Sequence, residues 1–259
     1  MTEPYPRQQA QIFGDDAASY DRFRPAYPRE LLEDVVERSG PEVPVLEIGA
    51  GTGKATKALT VLGRRVHAIE PDRRMAAVLS VNCGDSPVDV EHATLEMARL
   101  PAQSYHLAVA AQSWHWVDPH IGYDIVADAL MPDGTLALLW HHPRSEQGMF
   151  GAALEQLYRE LAPGLEPMIP GNKSRRFDPL AEPESATTRF DEWERIEHRW
   201  RRTLDAANLI GWLCSGSDHR MLPIEHRSEL MSGVAALVAE FGGTVTIGMS
   251  TVAHLGRRI

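Results

Sequence analysis

"VLEIGAGTGK", Val45 to Lys54, places three glycines at alternate positions directly behind a short apolar run. The run reads as a buried β-strand. A helix follows it, because Ala55, Ala58, Leu59 and Leu62 recur at i, i+3, i+4 and i+7. A dinucleotide-binding turn has the form G-x-G-x-x-G, in which the third glycine lets helix and strand pack closely under a pyrophosphate. Here Lys54 stands in that third place, the glycines are Gly49, Gly51 and Gly53, and Glu47 lies inside the strand ahead of them. A carboxylate beside the loop repels a pyrophosphate and favours a positively charged group. The turn therefore suits a ligand without phosphate that carries a cationic centre.

Outward from the turn, short β-branched and apolar runs alternate with helical spacing as far as Trp140. The runs are "VLEI", "RVHAIE", "VDVEH", "YHLAVAA" and "TLALLW". Alternation of this kind predicts a parallel, doubly wound α/β sheet whose ligand crevice lies outside the carboxyl ends of the strands. The glycines sit at one such end. Upstream, Leu31, Leu32, Val35 and Val36 mark a helix ended by Gly40 and Pro41, so residues 1–40 read as an N-terminal helical cover. Downstream, residues 143–190 are rich in proline and glycine around one amphipathic helix through Leu154, Leu157, Tyr158 and Leu161, and read as an inserted lid over a substrate. "DEWERIEHRWRRTL" is then a strand, Ala206 to Leu213 a helix, Leu230 to Phe241 another helix, and "TVTIGMSTVAHL" a last strand. The whole of residues 1–259 reads as one domain.

The E-x-G-x-G-x-G pattern resembles the first motif of class I S-adenosylmethionine-dependent methyltransferases, whose ligand carries an ammonium and a sulfonium. Further stretches carry the resemblance: "YDRFRPAYP", Glu70 ending "RVHAIEPD", "HATLEMARLP", "AAQSWHWVD" and "LMPDGTLALLW". It runs through almost the whole chain and is closest to a small-molecule branch that includes trans-aconitate methyltransferases. It implies a Rossmann-like methyltransferase fold with a mostly parallel seven-stranded sheet and S-adenosylmethionine as cofactor. By the same resemblance the cofactor is held by Tyr20, Arg24, Glu47, Gly49, Ala50, Gly51, Glu70, Pro71, Met75, Thr94, Leu95, Gln112 and Ser113. Glu70 takes the ribose hydroxyls, Thr94 and Leu95 border the adenine, Arg24 meets the cofactor carboxylate, and Tyr20 or Tyr27 covers the sulfonium. Three departures stand out: His106 where relatives commonly have aspartate, Thr94-Leu95 before the acid Glu96, and Trp140-His141-His142-Pro143 after the fifth strand.

Methyl transfer from a sulfonium is an in-line displacement, which needs positioning and water exclusion more than reactive side chains. His115 is the candidate base beside the transferring methyl. Trp116 and His141 are candidate acceptor contacts, and Lys173, Arg175 and Arg176 could recognise an acidic substrate. Adjacent His141 and His142 would point to opposite faces of a strand, so no metal site is expected. The formal net charge of -10 opposes attraction to nucleic acid. Cys83 and Cys214 are far apart and suggest no disulfide. With no apolar run of bilayer length and no leader-like start, the expectation is a cytoplasmic monomer or homodimer acting on a small-molecule acceptor. Two alternatives stay open at this point. One is a protein that binds S-adenosylmethionine for structure or regulation without methyl transfer; the other is a nicotinamide oxidoreductase.

Overall fold

The structure is a computed structural model that describes residues 13–39, 44–144, 148–165 and 184–259. Helices α1 (Ala17–Phe23) and α2 (Arg29–Arg38) precede the sheet. The chain then alternates through β1 (Val45–Ile48), α3 (Lys54–Val61), β2 (Val66–Ile69), α4 (Arg73–Cys83), β3 (Val88–Glu91), β4 (Tyr105–Ala111), α5 (Gly122–Ala129) and β5 (Leu130–Pro143). It ends with α6 (Gly148–Leu161), α7 (Glu184–Arg189), β6 (Phe190–Asp205), α8 (Ala206–Cys214), α9 (Ser217–Met221), α10 (Ile224–Glu240) and β7 (Thr244–Arg258).

The seven strands form one sheet in the order β3-β2-β1-β4-β5-β7-β6. Pairing is parallel from β3 through β5, as the alternation of strands and helices requires. β7 runs antiparallel to both β5 and β6, so the sheet is mixed at that edge. The reason is the connection. Asp205, ending β6, pairs with Thr244, starting β7, so α8 to α10 form an excursion that returns to the same end of the sheet. A parallel pairing would need a crossover to the opposite end.

β1 lies between β2 and β4 and is buried along its whole length, which explains why it is apolar apart from Glu47. Leu46 and Ile48 face a core with Ala108, Leu136, Leu138 and Tyr123 of α5. Val45 faces the opposite core, with Leu31 and Leu32 of α2, Leu59 of α3 and Leu79 of α4. Period-two alternation puts Glu47 on the same face as Val45, under the α3 side of the sheet. A third apolar cluster joins Leu154 and Tyr158 of α6 to Trp212 of α8 and Leu230 and Val234 of α10.

The described part of the expected 143–190 insertion is thus the end of β5, a packed amphipathic helix α6, and α7. Residues 166–183, with the Lys173, Arg175 and Arg176 cluster, lie outside the described residues, as do 1–12 of the N-terminal segment. Among the described residues, no helix is long and apolar enough to cross a membrane.

Candidate active site

The glycine turn leaves β1 with positive φ at Gly49 (66°) and Gly51 (61°), a region open to glycine and costly for other residues. A side chain at Gly49 would also have nowhere to go. Its Cβ would stand 2.6 Å from the Ser113 Cβ, and Ser113 donates its hydroxyl to the Ile48 carbonyl, tying the end of β4 to the end of β1. Gly49→Ala is therefore expected to lower the unfolding free energy by about 2–4 kcal/mol, combining overpacking with backbone strain. Urea denaturation of the variant measures this; a loss under about 0.5 kcal/mol would show that the turn can relax.

Glu70, at the carboxyl end of β2, bridges that turn. Its Oε2 accepts the Gly51 N–H at 2.7 Å and its Oε1 accepts the Asp72 N–H at 2.8 Å. Each oxygen keeps a lone-pair site for a further donor. Burial raises the Glu70 pKa to about 7, against the two backbone N–H groups that lower it. Asp72 in turn caps α4, accepting the Arg74 and Met75 N–H groups, and thereby holds Pro71 and Met75 at the same edge.

Glu47 is 1% exposed, and its Oε2 is buried with no hydrogen-bond partner. Burial raises its pKa to about 8; Thr56 pulls it down and Glu70 pushes it up. A buried acid in this state stabilises any cation brought beside it.

These groups share a cavity of about 620 Å³ at the carboxyl ends of β1, β2, β4 and β5. It is within the range of small-molecule sites. Apart from Lys173, Arg175 and Arg176, which lie outside the described residues, the residues expected from the sequence to touch cofactor or acceptor line it: Tyr20, Arg24, Glu47, Gly49, Ala50, Gly51, Glu70, Pro71, Met75, Thr94, Leu95, Gln112, Ser113, His115, Trp116 and His141. Gln112 holds a φ of 61° there, an uncommon conformation for a residue with a side chain, of a kind that clusters at functional sites. Thr94 and Leu95 enter on a short 3-10 turn, Leu95–Met97.

The remaining wall comes from the N-terminal strap formed by α1 and the residues up to Tyr27. Arg24 lies 5.2 Å from the Tyr20 ring centroid and donates through Nη2 to the Ser215 carbonyl, while its Nε is buried without a partner. Phe23 packs on Gly211 of α8, where a Cβ would meet its ring at 2.4 Å. Asp21 pairs with Lys54 at 3.5 Å, so the lysine in the third glycine place anchors the strap.

His115 opens onto the cavity, yet surrounding protein and then Arg24 lower its pKa to about 4. His141 is held at about 3, first by burial and then by Arg24, His142 and Arg202. The half-buried His141 ring is thus neutral at neutral pH, whereas the His115 ring, though lowered by its surroundings and Arg24, is exposed on the cavity wall.

Tyr27, expected with Tyr20 over the sulfonium, lines the cavity, which also includes residues that sequence reasoning did not assign: Asp72, Glu96, Pro143 and Trp212. The "EPD" cap signal after β2 could have found Asp72. Nothing local marks Trp212, which reaches the cavity through the packing of α8 against the strap.

The donor set fits S-adenosylmethionine. A carboxylate with free lone pairs at Glu70 suits ribose hydroxyls, and the orphaned Glu47 Oε2 and Arg24 Nε suit a zwitterionic, cationic ligand. Residues 46–138 match the protein family described as a methyltransferase domain. An uncharacterized methyltransferase of Mycobacterium tuberculosis is 29% identical over 233 residues, covering 90% of this chain and 88% of that protein. A probable S-adenosylmethionine-dependent methyltransferase of Saccharomyces cerevisiae is 25% identical over 150 residues, covering 56% of this chain and 51% of its own. The fold is similar to that of a putative type II methyltransferase from Anaeromyxobacter dehalogenans, with a TM-score of 0.66 and 21% identity over 91% of this chain and 98% of that one. The methyltransferase domain at residues 46–138 and the methyltransferase relatives support an S-adenosylmethionine-dependent methyltransferase enzyme.

Proposed function

We propose that this methyltransferase transfers a methyl group to a small-molecule acceptor, in keeping with the small-molecule branch that its sequence resembles. The observation that carries the reading is one cavity lined both by Glu70, Glu47 and the glycine turn and by Tyr27, Trp116, Trp212 and Pro143. The first group offers hydrogen-bonding atoms to the cofactor. The second is aromatic and apolar, and suits the acceptor.

When bound, S-adenosylmethionine supplies an electrophilic methyl group. Glu70 holds the ribose end, Glu47 the ammonium, and Arg24 the cofactor carboxylate, while Thr94 and Leu95 border the base. Tyr20, Tyr27 and Trp116 exclude water and align the acceptor, which is where an in-line displacement gains most. Pro143, the last residue of β5, lines the cavity beside the acceptor. With His115 and His141 both weak bases, the acceptor brings a nucleophile that is already unprotonated, as a carboxylate is at neutral pH.

The test is a screen with radiolabelled S-adenosylmethionine against matched carboxylic acids, phenols and amines, followed by His115→Phe on any active acceptor. The expected result is carboxylate methylation with kcat within about tenfold of the parent in the variant. A general base contributes about 10²–10⁴-fold. A loss in that range, or turnover of phenols or amines alone, would contradict the acceptor assignment.

A further inference from the structure

Trp200 on β6, Thr251 on β7 and His141 on β5 form a line of hydrogen bonds across three neighbouring strands. Trp200 Nε1 donates to Thr251 Oγ1 at 2.8 Å, and Thr251 Oγ1 lies 2.8 Å from His141 Nδ1. The indole nitrogen is a donor only, so the Thr251 oxygen accepts from it. The Thr251 side chain is fully buried, and its hydroxyl proton has His141 Nδ1 as its one acceptor among the described residues. Were Nδ1 instead to carry the proton, the threonine oxygen would accept twice and its own O–H would be stranded without water, which buried hydroxyls avoid. The direction of the line is thus fixed from Trp200 to His141. Nδ1 is the acceptor and the ring proton resides on Nε2.

That nitrogen is buried and makes no hydrogen bond of normal geometry. The strap lies against it. Tyr27 stacks on the His141 ring with centroids 4.5 Å apart and planes 20° from parallel. With Nδ1 engaged by Thr251, the Pro25 carbonyl of the strap, which favours a proton on this ring, answers to Nε2. Pro25, Tyr27 and His141 all line the cavity.

We propose that His141 is a positioning residue: a donor of fixed tautomer, set by Thr251 and Trp200, that captures the Pro25 carbonyl and latches the strap when the cavity is filled. His141 is then neither base nor metal ligand. This second step rests on the cofactor reading, since a ligand against Tyr20, Arg24 and Tyr27 is what settles the strap. The tautomer does not depend on it.

Two measurements test the proposal. Long-range proton–nitrogen NMR of histidine-labelled protein at neutral pH should show His141 protonated on Nε2 and bare on Nδ1, without ligand; the opposite tautomer overturns the proposal. Hydrogen exchange of the Ala26 and Tyr27 amides should then be compared with S-adenosylhomocysteine bound in the parent, in His141→Phe, which keeps the stack, and in Thr251→Val, which removes only the hydroxyl. Exchange at least tenfold faster in both folded variants supports the latch, and parent-like exchange in both overturns it. If calorimetry shows no binding of S-adenosylhomocysteine to the parent, the cofactor reading and the ligand-driven latch fail together, while the NMR result still decides the tautomer.

Discussion

Glu70→Ala is expected to weaken S-adenosylmethionine binding by about 100-fold or more. Hydrogen bonds to a charged group are worth about 1.5–3 kcal/mol each, and a ribose offers two hydroxyls to this one carboxylate. The variant also releases the Gly51 and Asp72 N–H groups that Glu70 holds at 2.7 and 2.8 Å, so the turn loses its tie to β2 as well. Calorimetric titration of the folded variant measures the loss. Unchanged affinity would remove Glu70 from the binding site.

Glu47→Gln is expected to act in opposite directions on stability and on binding. In the unfolded chain the carboxyl titrates near its ordinary value of 4.5; in the folded, ligand-free protein burial raises this to about 8. The folded state therefore holds the proton more tightly. Its stability advantage is fully present below about pH 4.5 and is lost as pH rises through about 8, at about 1.4 kcal/mol per pH unit. At pH 8.5 the parent carries most of that cost, on the order of 4 kcal/mol. Gln, neutral and nearly isosteric, escapes it. Urea denaturation should find the variant more stable than the parent at pH 8.5 and about equal at pH 4.5. Equal or lower stability of the variant at pH 8.5 would mean that Glu47 is not a strained buried carboxylate. For binding the sign reverses, because a bound cation favours the ionised acid. Cofactor affinity of the parent should rise with pH from about 6 to 8, with proton release, and Gln should weaken binding and remove the Glu47 part of that dependence, leaving the part set by Glu70.

The two variants probe the part of the site that the sequence made legible. Alternating glycines with an acid inside β1, and a second acid ending β2, are local signals. They hold because a strand end next to a helix start positions both acids by backbone geometry alone. β1 and β4 were legible to the residue because strands in the middle of a parallel sheet are mostly apolar, broken here only by Glu47 and His106. β5 extends past its apolar "TLALLW" run at both ends, because Leu130 pairs with Tyr105 of β4 at the start and β7 pairs with it as far as Pro143 at the end, hydrogen bonds that no local pattern records. The antiparallel placement of β7 was hidden for the same reason. It depends on where the excursion through α8 to α10 returns.

The histidines show a different limit. His115 was the candidate base and His141 a candidate acceptor contact because of their residue type and place in the chain, but their basicity is set by their surroundings and by Arg24, which come from packing. Trp212 was missed because long-range contacts, Phe23 on Gly211 and Arg24 to the Ser215 carbonyl, bring α8 to the cavity. Lys54 was read as the residue that breaks a dinucleotide motif, and its pairing with Asp21 gives it a structural task as well.

The most direct test of the account is calorimetric titration of the cofactor-stripped protein with S-adenosylmethionine, with a nicotinamide dinucleotide as control. Saturable one-site binding of S-adenosylmethionine alone is the predicted result. Absence of binding in protein shown to be folded, or preferential binding of the dinucleotide, would contradict the assignment of the glycine turn and of everything built upon it.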